Sequence, residues 1–97
     1  KTGHDFAQYF LGTACLKGEG MPQDFNQAFK YFTDSANQGN PDAQYYLGLM
    51  YLEGKGCEAD VNEGAKWLNS SATLGNGDAL EKLNDLEKDA QGNWHLK

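Results

Sequence analysis

The chain writes one phrase twice. "FLGTACLKGEG", Phe10 to Gly20, returns as "YLGLMYLEGKG", Tyr46 to Gly56, a shift of 36 residues. The same shift lays Ala7, Gln8, Tyr9, Leu11 and Gly12 on Ala43, Gln44, Tyr45, Leu47 and Gly48. It lays Leu16, Gly18 and Gly20 on Leu52, Gly54 and Gly56, and Asp24, Asn26 and Lys30 on Asp60, Asn62 and Lys66. Ser35, Ala36, Gly39 and Asn40 fall on Ser71, Ala72, Gly75 and Asn76, and a further step carries Asp42, Ala43 and Leu47 to Asp78, Ala79 and Leu83. A fixed period of this length marks supersecondary units that bury their apolar faces against one another.

Each unit reads as two helices. Ala43, Leu47, Met50 and Tyr51 recur at spacings of three and four, the helical period. Gly54 and Gly56 then close the helix, because glycine enters the left-handed conformation without steric penalty. The second helix opens at Asp24 or Asp60, with Gln27 or Glu63 three residues on, a capping-box spacing. Gly39 and Gly75 end these helices. Asn40-Pro41 and Asn76-Gly77 open the next, Pro41 suiting a first helical position. Gly12 and Gly48 fall in mid-helix, where glycine costs about 0.5–1 kcal/mol relative to alanine. That cost at one register in both units predicts a partner helix crossing too closely for a β-carbon. Ala28, Ala36 and Ala72 serve the same approach, with Gly64 in place of Ala28, while Phe32, Trp67 and Leu68 fill the space between hairpins.

With 97 residues the chain has room for one small domain. Its formal net charge of −6 argues against binding a phosphate backbone or an anionic membrane surface, both of which call for clustered Lys and Arg. No apolar run approaches the length of a membrane span.

The pattern A-x-x-x-L-G-x-x-[Y/C]-x-x-G-x-G, followed by D, a small residue, an aromatic, A and G, resembles the Sel1-like repeats, relatives of the tetratricopeptide repeats. The resemblance implies an all-α, α/α right-handed solenoid of two helix hairpins, repeat 1 at about 7–42 and repeat 2 at about 43–78. A capping helix at about 79–90 follows, then a tail at 91–97. In the capping helix Leu80, Leu83 and Leu86 form one apolar stripe and the rest is polar, as a terminal element needs. The tail "QGNWHLK" is expected to fray, with Trp94 able to fold back. "KTGH" precedes the first helix without a comparable cap, which leaves open that further repeats come before it.

The resemblance also implies a non-enzymatic protein–protein interaction module, an adaptor, scaffold or assembly factor. It leans towards the bacterial periplasm or envelope, with the cytoplasm open. Stacked as in tetratricopeptide arrays, the first helices line a concave face. That face would carry Phe6, Tyr9, Thr13 and Leu16, then Asp42, Tyr45, Leu49 and Leu52, then Asp78, Glu81 and Asp85. It is aromatic and apolar at one end and acidic at the other, which suits a protein or peptide partner with apolar anchors and basic residues. Tyr9 and Tyr45 read equally as scaffold residues packing across repeats.

Candidate chemistry is sparse. Cys15 and Cys57 occupy inequivalent positions, Cys15 aligning with Tyr51 and Cys57 with Met21, so free thiols are expected rather than a bridge. His4 and His95 lie at opposite ends without ligand spacing, and read as solvated rather than metal-binding. Glu81 and Asp85, one turn apart, read as a solvated face. "GEG" and "GKG" lack the preceding strand and the K-[ST] pair of a phosphate loop. Asn69-Ser70-Ser71 fits a glycosylation sequon but falls within a helix. No cofactor is implied. An alternative function is a small immunity or inhibitor protein whose acidity suits a basic enzyme or toxin. A hydrolase is the remaining alternative, with no triad to support it.

Overall fold

The computed structural model describes residues 4–96, with side chains from residue 6 onward. Its elements run α1 (His4–Lys17), α2 (Phe25–Asn37), α3 (Pro41–Glu53), α4 (Val61–Thr73), α5 (Gly77–Leu83), β1 (Leu86–Lys88) and β2 (Trp94–Leu96). Helix packs on helix in sequence order, giving an elongated body of 43 × 27 × 18 Å.

The caps are set by side chains at equivalent positions. Asp24 Oδ1 accepts from Gln27 N and Asp60 Oδ1 from Glu63 N, each at 3.1 Å. Asn40 and Asn76 accept from Ala43 N and Ala79 N at 3.0 and 2.9 Å. Only half of each expected capping box forms. The Asp24 and Asp60 N–H groups donate to Cys15 O and Tyr51 O at 2.8 Å. These bonds tie the second helix to the end of the first, so the Gln27 and Glu63 side chains have no orphan donor to satisfy. Glu63 instead pairs with Lys66 at 3.7 Å.

The mid-helix glycines lie at helix crossings. A β-carbon on Gly12 would stand 2.8 Å from Phe32 Cε1, and one on Gly48 would stand 2.8 Å from Leu68 Cγ and 3.0 Å from Gly64 O. One core gathers Cys15, Ala28, Phe32, Ala36, Ala43, Leu47 and Met50, with Trp67 packed against it. A second gathers Ala65, Leu68, Ala79 and Leu86.

The C-terminal end departs from expectation. The helix foreseen over about 79–90 stops at Leu83, and the tail foreseen as frayed returns as a strand antiparallel to Leu86–Lys88. Turn chemistry is the cause: Asp89 Oδ1 accepts from Gln91 N and Asn93 N, both at 2.9 Å, and Gly92 takes φ +86°. The hairpin buries Leu86 to 4% exposure and fastens Trp94 N to Asn62 Oδ1 at 2.8 Å. Lys88 lies over the Trp94 ring at 5.6 Å. The apolar stripe foreseen on one helix is therefore split, with Leu86 in a strand and Leu80 57% exposed.

Candidate interaction face

The first helix of each unit presents aromatic side chains that meet across the units. Phe6 stacks near Tyr9, with ring centroids 6.4 Å apart. Tyr9 reaches Tyr46 at 6.0 Å, and Tyr46 meets Tyr45 edge-on at 5.4 Å. Tyr46 also lies parallel to Phe32, at 5.2 Å and 11°, so the row is fastened to the core beneath it. Tyr9 and Tyr45 are half-buried; they pack as scaffold and still present surface.

Carboxylates follow the row. Burial is the main cause raising the Tyr9 phenol above its ordinary pKa, with Tyr46 and the Asp42 carboxylate adding to it. Burial again leads at Tyr45, followed by Asp78, Tyr46, Glu81 and Glu53. A phenolate is disfavoured near these negative groups, so both tyrosines stay neutral donors at physiological pH. Asp42 accepts from Asn76 Nδ2 at 3.1 Å. Among the described residues the salt bridges are Lys55–Glu53, Lys66–Glu63 and His95–Asp89. Asp42, Asp78, Glu81 and Asp85 are exposed without an ion-pair partner there.

The structure thus brings Phe6, Tyr9, Asp42, Tyr45, Asp78 and Glu81 into one neighbourhood. The remaining expected residues make other contacts and stay half-buried or, for Asp85, exposed. Thr13 Oγ1 donates to Phe10 O of its own helix at 2.8 Å. Leu16 packs on the first core, and Leu52 packs on the second, against Gly64. Leu49 is half-buried. Asp85 lies beyond α5 rather than one helical turn from Glu81, because the helix has ended. Tyr46, which links the tyrosines, was missed by comparing identical residues alone. Its counterpart at the 36-residue shift is Phe10, so a comparison by aromatic class finds it.

Other candidate groups are accounted for by structure. Cys15 is buried with its Sγ 3.3 Å from the Met21 sulfur, and Cys57 lies 3.7 Å from Met50 O; both are free thiols. Burial, with Asp60 nearby, raises the Cys57 thiol pKa and makes it less nucleophilic. His95 is not simply solvated: it pairs with Asp89 at 2.7 Å. The His4 side chain lies outside the described residues. Ser71 is fully buried and donates to Pro41 O at 2.6 Å. Among the described residues no His, Cys, Asp and Glu group could hold a metal, no closed cavity forms, and no helix is long and apolar enough to cross a membrane.

Comparison with known proteins agrees with this geometry. The chain is 41% identical to a Sel1 repeat protein from Oxalobacter formigenes over 82% of its length, with a TM-score of 0.81. It is 38% identical over 86% to c5321, a protective antigen of uropathogenic Escherichia coli, with a TM-score of 0.83. It spans 23% and 18% of those two chains. The cysteine rich protein B of Helicobacter pylori shares the fold, at 24% identity and a TM-score of 0.76 over 81% of this chain and 59% of its own. No curated protein sequence matches. The Sel1 repeat model matches residues 5–40 and again 41–76, back to back, and the chain belongs to the Sel1 repeat family.

Proposed function

We propose that this chain is a non-catalytic adaptor or assembly module that holds a protein segment against the first helices α1, α3 and α5. Sel1 repeats are generally protein–protein interaction modules, which supports the broad class. The observation that carries the finer reading is the ring row Phe6–Tyr9–Tyr46–Tyr45 running into the unpaired carboxylates of Asp78 and Glu81. Rings on a rigid scaffold provide contact area at small entropic cost, and uncompensated acids beside them favour Lys or Arg. A segment with an apolar anchor over Tyr9 and a basic residue near Tyr45 meets both demands.

Selection of peptides from a random displayed library on the purified chain tests this reading. Enrichment of sequences joining apolar and basic residues is expected. Those peptides should bind an Asp78→Asn/Glu81→Gln variant several-fold more weakly, and the difference should shrink with salt. Both residues are exposed, so the variant leaves the packing intact. Equal binding to both proteins would refute the placement on this face.

A further inference from the structure

The ring row offers hydrogen-bond donors as well as apolar area. Among the described residues the phenols of Tyr9, Tyr45 and Tyr46 have no hydrogen-bond partner. The only buried side-chain atom left unpartnered there is Gln44 Oε1, so the three phenol oxygens stay within reach of water. They are spread along the row: the Tyr46 ring stands 6.0 Å from that of Tyr9 and 5.4 Å from that of Tyr45. Near Tyr45 lie the exposed carboxylates of Asp78 and Glu81. Such a surface asks three things of a bound segment: apolar faces for the rings, main-chain carbonyls for the phenols, and a cation at one end.

The backbone forms open to a segment meet these demands differently. An α-helix uses its carbonyls on its own N–H groups, and laid across the row it would cover the phenols without offering an acceptor. A β-strand has free carbonyls, but it brings N–H groups that call for a strand edge to pair with. The face consists of α1, α3 and α5, whose main chain is bonded within the helices. A polyproline II stretch has carbonyls that no internal bond engages, and each proline removes an N–H that the rings could not satisfy. One turn of it rises about 9 Å, which fits within the two ring steps from Tyr9 through Tyr46 to Tyr45. Its backbone is also set before binding, so little conformational freedom is lost.

Resting on the function proposed above, we infer that the segment held on the first helices is a proline-rich, polyproline II stretch ending in Lys or Arg. Its prolines pack on Phe6, Tyr9 and Tyr46, and its carbonyls accept from the phenols of Tyr9 and Tyr45. The charge fixes which end lies over α5. Asp42, near Tyr9, already accepts from Asn76 Nδ2 at 3.1 Å, whereas Asp78 and Glu81 are unengaged. The basic end therefore lies at Asp78 and Glu81, and the prolines run from there towards α1.

The probe is a labelled peptide of repeated Pro-Leu-Pro triplets ending in arginine, titrated into the full chain. Its control has every proline replaced by alanine, which keeps the charge and favours a helix. Saturable binding of the proline peptide is expected, with the alanine peptide weaker by about tenfold or more. Tyr9→Phe and Tyr45→Phe should each weaken the proline peptide about fivefold, as the loss of one hydrogen bond implies. Both should leave the thermal melt unchanged, since the ring stays and the oxygen removed has no partner within the fold. No saturable binding of the proline peptide at millimolar concentration overturns the proposal, as does unchanged affinity in both phenylalanine variants. If the two peptides bind equally and both weaken on Asp78→Asn/Glu81→Gln, the polyproline form is wrong while the face stands. If the proline peptide binds but is indifferent to that double variant, the face is wrong and this proposal falls with it.

Discussion

Replacing Gly48 by alanine should weaken the protein although it improves the helix. In an unconstrained helix interior the change gains about 1 kcal/mol of propensity. At Gly48 the new methyl group would stand 2.8 and 3.1 Å from Leu68 Cγ and Cδ2, and 3.0 Å from Gly64 O. Leu68 is fully buried, and Cγ is its branch point, so turning the side chain aside displaces the second core. The Gly64 oxygen belongs to the backbone of α4 and can retreat only if the helices part. Reaching ordinary contact distances requires a separation of a few tenths of an ångström along the whole crossing. Overpacking of this kind costs about 1–3 kcal/mol. The net is a loss of about 1 kcal/mol, or a melting temperature lower by about 4–8 °C for a domain of this size. Gly77→Ala is the internal control: it is also helical, but its β-carbon would meet nothing within 4 Å. It should stabilise by about 0.5 kcal/mol. Urea unfolding followed at 222 nm reads both. If Gly48→Ala proves as stable as wild type or more so, the close crossing of α3 and α4 is not what selects glycine there. In a double-mutant cycle Leu68→Ala should relieve part of the Gly48→Ala penalty, because it removes the atom struck first.

Gly20→Ala and Gly56→Ala share the penalty of φ near +75°, but only Gly56 also meets the Phe25 carbonyl and Phe29; Gly56→Ala should therefore unfold at the lower urea concentration. Phe32→Ala empties the site beneath Gly12, Tyr9 and Tyr46 and should cost about 3–5 kcal/mol by denaturant melt, enough to unfold much of a marginal domain. The Asp89 carboxyl is held below its ordinary pKa by the His95 hydrogen bond first and by the Asn93 and Gln91 N–H groups after it. A lowered folded pKa contributes stability above the unfolded carboxylate value, near 3.9, and loses it as pH falls through the folded one. NMR shifts of the Trp94 indole should accordingly report hairpin loosening only below about pH 4, and Asp89→Asn should abolish that acid step.

The helical part of the fold was legible because its signals are local and doubled. Asp24 and Asp60, Asn40 and Asn76, and Gly12 and Gly48 each state one requirement twice, and each meets it with the same geometry. The C-terminal hairpin was not legible as repeat, since it occurs once and Leu80, Leu83 and Leu86 imitate a helical stripe. Its signal lay in Asp89, Gly92 and Asn93, residues that build a turn by bonding backbone N–H groups. Helical spacing alone favoured continuation, whereas burial of Leu86 against Ala65 and Leu68 and the grip of Asn62 on Trp94 decided for a strand. That aromatic and acidic residues of the first helices neighbour one another was legible in outline. Periodicity says which residues share a side of a helix, but not how far the neighbouring helix covers them: Leu16 and Leu52 pack on the two cores, as Tyr9 and Tyr45 also do.

That division bears on how the face can work. Tyr46 stands in the ring row and also stacks on Phe32, the fully buried ring beneath Gly12. The contact that fixes the spacing between repeats is thus the one that sets the row in place. Ring substitutions there change stability and surface together, so loss of binding by Tyr46→Ala alone would not distinguish a lost contact from a shifted repeat. The carboxylates of Asp78 and Glu81 are exposed and joined to the row only through space. Neutralising them changes what the face attracts while the stacking holds. Under the function proposed above, such a face would have rigid apolar positions dictated by the fold and charges that can be exchanged at little structural cost, so partner preference should be set chiefly by the acids on α5 and the position of the anchor by the rings on α1 and α3.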